Sequence, residues 1–416
     1  MFATLREVTD PQEQQLPAAE FLSRLKARPA ALVVAMLALA GCATNSVQLH
    51  EKTLTLDTHL DTPALFEIQG WDFTQRHRVE DDGSQIDLPR MIEGGLDGGF
   101  FATYIPQGPL TPEGRAAARR AAQVRLDAIH ALVEKNPATM AIAQTPADAH
   151  RIAASGRRVV FLSMENGYPV GDTPVLLAEF YARGVRMAGP VHFRNNDLAT
   201  SSTDVARPEA PGLTAAGREW VREASRLGVI IDLSHASDAT LDEVLALSTD
   251  PIVLSHSGAR AVFNHPRNVD DEHLRRIAAK GGVIQVSAYA DYMVERPAIP
   301  ERTAALAKVR QSRGSTEAEQ RERTAQQAEI NRRWPLPQAT YEQFVAHLLH
   351  VIKIAGVDHA GIGIDFDGGG GVAGFEDATA YPRITASLLE AGLNAQQIAG
   401  IWGGNVLRVM EQVQKP

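Results

Sequence analysis

The chain has 416 residues, 44% of them hydrophobic and 22% charged, with a net charge of -9. That length can bury a large core, and a mild acidic excess without clustered Lys and Arg excludes a nucleic-acid-binding surface. A single cysteine excludes internal disulfides and a thiolate metal centre, so any ligand chemistry must draw on imidazoles and carboxylates.

In chain order, Arg24, Lys26 and Arg28 precede an apolar stretch from Ala30 to Ala40 that ends Leu39-Ala40-Gly41-Cys42. A basic flank, a short apolar core and small residues at the exit predict a secretory signal, too short for a permanent membrane span. The Leu-Ala-Gly-Cys ending resembles a bacterial lipobox, which implies cleavage before Cys42 and lipid on its sulfur. The expected location is then the periplasmic side of the cell envelope, held to a membrane through Cys42. Ala43, where aspartate would signal inner-membrane retention, points by analogy to the outer one. Residues 1–42 are thus an extension and signal, 43–52 a tether, and 53–416 a single domain.

From residue 53 onward strand and helix signals alternate. Apolar runs at 54–60, 98–105, 158–164, 184–191, 229–234, 252–255, 282–288 and 360–365 predict eight strands. Between them, Leu213, Ala216, Trp220, Val221, Ala224 and Leu227 recur at helical spacing, and Gly228 closes that segment. Ser237 stands where a helix N-cap belongs, as does Asp270 or Asp271 farther on. Repeated βα units predict an α/β fold closed into a (β/α)8 TIM-like barrel. An open doubly wound sheet is the alternative, but it would leave most strand-end histidines unused. Residues 62–97 read as a loop and helix over the barrel mouth. The charged segment 295–338 reads as exposed helices inserted before the last strand. Gly368 to Gly371 lack a following Lys-Ser or Lys-Thr, so they read as a flexible loop near the site, not a phosphate cradle.

Six strand runs end on a histidine or an acid: LTLDTHLD (His59, Asp61), VVFLSMEN (Glu165), VRMAGPVH (His192), VIIDLSH (His235), PIVLSH (His256) and AGIGIDF (Asp365). In a barrel these ends feed one pocket. His59 and Asp61, two apart, project to the same side and offer a nitrogen and an oxygen to a zinc-like ion. A lone strand-end histidine is commonly a polar cap, but His235 and His256, each after Leu-Ser on consecutive strands, point to ligation. Two ions with three protein ligands each need six donors, and five residues are in view, so Glu165 is expected to bridge. His59, Asp61 and Glu165 would hold one ion, and Glu165, His235 and His256 the other. A water shared by the ions would supply a hydroxide nucleophile near neutral pH. Asp365 reads as the proton carrier and His192 as a donor to the developing oxyanion. Arg267 can fork onto a substrate carboxylate or form a surface salt bridge with Asp270 or Asp271, and spacing alone leaves both open.

The motifs DTHLDT, DLPRMIEGG, SMENG, VHFRNND, DLSHAS, SHSGARAVFNHPRNVDDE, HAGIGIDFDG and GGNVLRV run in order from Asp57 to Val409. In this order the chain resembles the membrane dipeptidase (renal dipeptidase) family, metallopeptidase family M19, in its bacterial form. The resemblance implies a barrel of the metallo-dependent hydrolase type with two zinc ions on His59, Asp61, bridging Glu165, His235 and His256. It implies Glu165 and Asp365 as catalytic carboxylates, and substrate contact through His192, Arg267 and Asp365. The implied reaction is hydrolysis of dipeptides, with tolerance for a D-residue at the second position, and relatives imply a homodimer. Thr200 and Gly99 depart from the residues common in relatives, which bears on substrate preference and loop contacts.

Two other readings compete. One is an amidohydrolase acting on cyclic amides or lactones; against it, strand one carries His-x-Asp in place of His-x-His, and His192 stands where a carbamylated lysine would be. The other is a lipoprotein that binds peptides or zinc without turnover, which the presence of Asp365 beside a full ligand set disfavours.

Overall fold

The computed structural model describes residues 45–204, 206, 211–311 and 315–414. The expected signal over residues 1–42, with Cys42, lies outside the described residues. No helix among the described residues is long and apolar enough to cross a membrane. The chain divides into residues 1–48, of which 45–48 are described and helical, and residues 49–416, which hold all the strands.

Eight parallel strands form the centre: β1 Leu56–Leu60, β2 Gly98–Tyr104, β3 Arg158–Glu165, β4 Val185–Ala188, β5 Ile230–Ile231, β6 Val253–Ala259, β7 Val283–Val286 and β8 Ala360–Ile362. β1 to β5 pair in chain order as one sheet, and β6 to β8 as a second. Single parallel bridges close both seams, Asp232 to Val253 between β5 and β6, and Leu60 to Phe366 between β8 and β1. This is the expected α/β barrel, eight parallel strands closed on themselves. Two short strands that the apolar pattern does not announce, Met140–Ile142 and Asn268–Val269, pair with β3 and β6.

Apart from Tyr104 and Arg158, every residue of the eight strands is buried, which is why the runs read as continuous apolar stretches. Leu56, Phe100, Phe161, Ile230, Val253 and Val283, near the strand starts, share one core with Val406, Val409 and Met410 of the C-terminal helix Asn405–Val413. That apolar floor leaves the opposite end of the barrel to polar side chains.

The expected helix ends are present. Thr214 caps Ala215–Leu227, which stops at Gly228 in the left-handed conformation (φ 74°). Ser237 accepts from Thr240 N to start Asp238–Leu247. Of the two candidate aspartates, Asp270 is the cap of Asp271–Ala279, accepting from His273 N at 2.9 Å. The inserted segment forms helices Pro300–Gln311 and Glu317–Arg333. The second lies against the mouth segment, with Gln320 Nε2 donating to Asp82 O at 2.9 Å and Thr316 bridged to Gln69.

Within the mouth segment two buried carboxylates act as knots. Asp82 accepts from Trp71, His77 and Ser84, while Asp87 accepts from Arg90 and from the His77 backbone. Thr62 Oγ1 and Gln85 N both donate to Asp367 at 2.6 Å, tying this segment to the loop after β8. Residues 49–52, expected within a tether, are helical, and buried His50 bonds to Thr385 Oγ1 and Gly94 O.

Candidate metal centre

All the residues singled out at strand ends meet at the C-terminal mouth of the barrel. The chain is turned sharply there: Asn166 (φ 70°), just after Glu165, and Asp365 (φ 71°) both lie in the left-handed region, an uncommon conformation for residues with a side chain. Asp57, buried inside β1, accepts from His59 N at 2.9 Å, from Ile364 N and from Tyr381 Oη at 2.6 Å. It thereby fixes the end of β1 against the chain leaving β8.

Glu165 is the centre of the cluster. Its Oε1 lies 2.9 Å from His235 Nε2, 3.4 Å from His256 Nε2 and 3.5 Å from His192 Nε2, and its Oε2 lies 3.7 Å from His59 Nε2. His59 Nε2 also faces Asp61 Oδ2 at 3.7 Å and Asp365 Oδ1 at 3.8 Å. His235 Nε2 and His256 Nε2 are 2.8 Å apart. Three triads, His59–Glu165–His256, Glu165–His192–His235 and His59–Asp61–Asp365, each keep their ligand atoms within 4.8 Å of one another. His192 and Asp365 thus stand close enough to join the five residues expected as ligands.

The donor set fits a divalent cation. Around one tetrahedral zinc with bonds near 2.0 Å, donor atoms stand roughly 3.3 Å apart, the spacing seen here. His59 Nε2 and Asp61 Oδ1 are buried without a hydrogen-bond partner, a costly arrangement unless a cation meets them. The electrostatics agree. Burial opposes charge on His59, yet Glu165 and Asp61 outweigh it and lift its pKa to about 10. Burial raises Glu165 well above the ordinary carboxylate range and Asp365 to about 8, and His59 only partly offsets this. Burial, and then the positive charge of Arg267, hold His192 and His235 well below the ordinary histidine value; burial and then His59 do the same for His256. Neutral His192, His235 and His256, beside carboxylates whose chief positive neighbour is a protonated His59, form a set that a cation could complete in place of that proton.

Arg267 is buried at the edge of this cluster, donating to His256 O at 2.9 Å and to His235 Nε2 at 3.4 Å. Its Nε has no partner. Asp270 pairs instead with Arg260 and His273, and Asp271 with His350, so the surface salt bridge held open above is not formed. Aromatic rings border the cluster: Tyr104 and Phe193 pack on His192, and Tyr292 lies beneath Arg267.

The glycine run is a tight turn, not a loose loop. A Cβ on Gly368 would stand 2.2 Å from both Asp61 Oδ2 and Asp365 Oδ1, and one on Gly370 would stand 2.1 Å from Ile364 O. Thr200 hydrogen-bonds to Ser237 and Thr240 at the start of a helix. Sequence reasoning missed Asp57 and Asp232, which support ligands from behind; their place two or three residues before a histidine was the available signal.

A model of the membrane dipeptidase family, peptidase family M19, matches residues 44–416. Dipeptidase verJ of Clonostachys rogersoniana is 29% identical over 394 residues, covering 92% of this chain and 90% of that protein. Dipeptidase tcpJ of Claviceps purpurea is 30% identical over 341 residues, 81% of this chain and 71% of its own. The crystal structure of the probable dipeptidase PvdM from Pseudomonas aeruginosa superposes with a TM-score of 0.76 at 32% identity, covering 90% of this chain and 99% of that one. A metallopeptidase from Rhodobacter sphaeroides, liganded with a phosphinate mimic of the dipeptide L-Ala-D-Ala, superposes with a TM-score of 0.67 at 25% identity over 87% and 99% of the two chains. Barrel, ligand cluster and matches agree: the chain belongs to the membrane dipeptidase family, peptidase family M19, and is a metallo-dipeptidase.

Proposed function

We propose that this dipeptidase works with two zinc ions held by His59, Asp61, Glu165, His235 and His256, with Glu165 shared, and that it accepts dipeptides with a C-terminal D-residue. When bound, such ions supply a water activated near neutral pH and polarise the scissile carbonyl. The chain's own groups do the rest. Arg267, its Nε free of partners, binds the substrate's terminal carboxylate and fixes the length of peptide that fits. Neutral His192 donates an N–H to the carbonyl oxygen as charge builds there. Asp365, whose Oδ1 stands 3.8 Å from His59 Nε2 at the edge of the cluster, takes a proton from the attacking water. It returns that proton to the amine nitrogen as the C–N bond breaks.

The observation that carries this reading is the gathering of the Nε2 atoms of His59, His235 and His256 within 3.7 Å of one carboxylate. The phosphinate mimic of L-Ala-D-Ala bound by the Rhodobacter sphaeroides relative supports acceptance of a C-terminal D-residue. The test is to strip the purified chain with a chelator, restore it with zinc, and assay L-Ala-L-Ala against L-Ala-D-Ala. Activity should vanish and return, on both substrates. Zinc uptake without cleavage of any dipeptide would favour the cyclic-amide, lactone or non-catalytic readings.

The same reading includes export and a lipid on Cys42 that anchors the chain to the outer membrane, supported by the Arg24–Cys42 pattern. A Cys42→Ala chain should leave the membrane fraction. A homodimer, implied by the family resemblance, is checked by light scattering.

A further inference from the structure

The two Leu-Ser-His motifs are alike in sequence but not in wiring, and the difference points to residues that the reaction itself does not use. Asp232, three positions before His235, is 5% exposed and forms no ion pair among the described residues. Its Oδ1 accepts from Ser234 N (3.1 Å), Ser234 Oγ (2.7 Å) and Ser255 N (2.9 Å), and its Oδ2 accepts from Ser255 Oγ at 2.5 Å. Ser255 Oγ in turn lies 2.8 Å from His256 Nδ1, and Ser234 Oγ accepts from His256 N at 3.0 Å. The other histidine is left alone: His235 Nδ1 is buried with no partner.

Counting protons along this chain settles its direction. A carboxylate only accepts, so the single hydroxyl proton of Ser255 goes to Asp232. The 2.8 Å contact to His256 must then be an N–H donated by Nδ1 to Ser255 Oγ. That leaves His256 Nε2 with its lone pair turned toward His235 Nε2 at 2.8 Å and Glu165 Oε1 at 3.4 Å, the atoms expected to share a cation with it. We propose that Asp232 and Ser255 are positioning residues that fix the tautomer and aim of His256, and so set how tightly the cluster holds the cation on that side. This rests on the metal-centre reading above.

The arrangement makes two substitutions behave differently. In Asp232→Asn, the amide oxygen must occupy the Oδ1 position, because two backbone N–H groups point at it. The amide NH2 then faces Ser255 and donates to its oxygen, so the serine proton turns to His256 Nδ1. The imidazole is forced to carry its hydrogen on Nε2, where a cation would bind. Ser255→Ala merely removes the partner and leaves both tautomers available.

The experiment uses the full chain with 15N-labelled histidine. Long-range proton–nitrogen NMR on zinc-free protein reads the His256 tautomer, assigned with His256→Gln, and zinc competition against a chromophoric chelator reads affinity. Wild type should show the Nδ1–H form and take up two ions. Asp232→Asn should show the Nε2–H form and hold one of its two ions about 10- to 100-fold more weakly, the size typical of outer-shell partners. Ser255→Ala should mix tautomers and weaken the same ion less. Wild-type tautomer and wild-type affinity in both variants, or in Ser255→Ala alone if the other does not fold, overturn this inference while leaving the metal centre standing. A wild type that binds no zinc overturns both.

Discussion

Replacing Gly368 by alanine should disable the enzyme while barely touching its fold. The backbone there is not left-handed, so alanine adds no conformational strain, and the effect is purely one of space. A Cβ would stand 2.2 Å from Asp61 Oδ2 and from Asp365 Oδ1, where real Cβ contacts essentially never fall below 3.0 Å, so at least 0.8 Å must open on both sides. These are the same two oxygens that face His59 Nε2. Both are side-chain ends, and Asp61 Oδ1 has no partner to lose, so the carboxylates can rotate away. Stability should fall by no more than about 1–3 kcal/mol, the usual cost of an extra methyl in a packed site. Misplacing reacting or ligating groups by about 1 Å costs on the order of 10²-fold in rate. Steady-state kinetics on a dipeptide, with zinc content and thermal melting measured on the same sample, make the test. Full zinc and a wild-type kcat/KM in the alanine variant would refute the packing argument.

Glu165→Gln should bind less zinc and lose at least about 10²-fold in kcat/KM, because one neutral amide oxygen replaces a carboxylate facing four imidazoles. Arg267→Ala should raise KM for dipeptides by about 10- to 150-fold, the worth of roughly 1.5–3 kcal/mol for a charge-assisted bond. Arg267→Lys should rescue little, since a point charge lacks the fork, and a C-terminal amide substrate should be equally poor for wild type and both variants. Zinc at about 100 times its dissociation constant should stabilise the chain by about 2.7 kcal/mol, read as a higher melting temperature that chelator reverses. The buried His77–Asp82 pair gives a pH signature. Hydrogen bonds from His77 and Ser84 overcome burial and hold Asp82 at about 2, so its stabilisation is present above 3.8 and is lost as pH falls toward 2. Burial works against charge on His77, but Asp82 raises its pKa, so its stabilisation is present below 6.5 and is lost as pH rises through the elevated value. The melting-temperature gap between wild type and His77→Gln should therefore be widest between pH 3.8 and 6.5 and shrink on either side.

The barrel strands were legible because burial on both faces makes them continuous apolar runs, and the side chains of the cluster because each ends such a run. Where side chains replaced the backbone ladder, boundaries went astray. β5 was expected over 229–234, but its regular ladder covers only Ile230–Ile231; a single bridge follows at Asp232, and there the side chains of Asp232 and Ser234 take the backbone N–H groups of Ser255 and His256 on the neighbouring strand. Arg267 stayed ambiguous because spacing cannot tell a buried guanidinium from an exposed one. The helix Glu317–Arg333 buries only Ile330, so nothing in its apolar pattern announced that it would lie on the mouth segment. Its contacts there run through polar groups such as Gln320. The four glycines looked like looseness, yet their meaning was crowding, which depends on neighbours 300 residues away, as Asp61 shows for Gly368.

The ring is zipped by strand ladders along most of its circumference, but at two joints the ladder shrinks to a single bridge each, Asp232 to Val253 and Leu60 to Phe366, with side chains such as Asp232 and Asp57 reaching across. The ligand cluster straddles both. His235 and His256 face each other across one joint, while His59 and Asp365 do so across the other. Cations gripped there would act as rivets between two half-shells whose strand ladders do not run on from one to the other. Zinc starvation should then cost the cell the protein itself, through breathing at the joints and attack by proteases, and not its turnover alone.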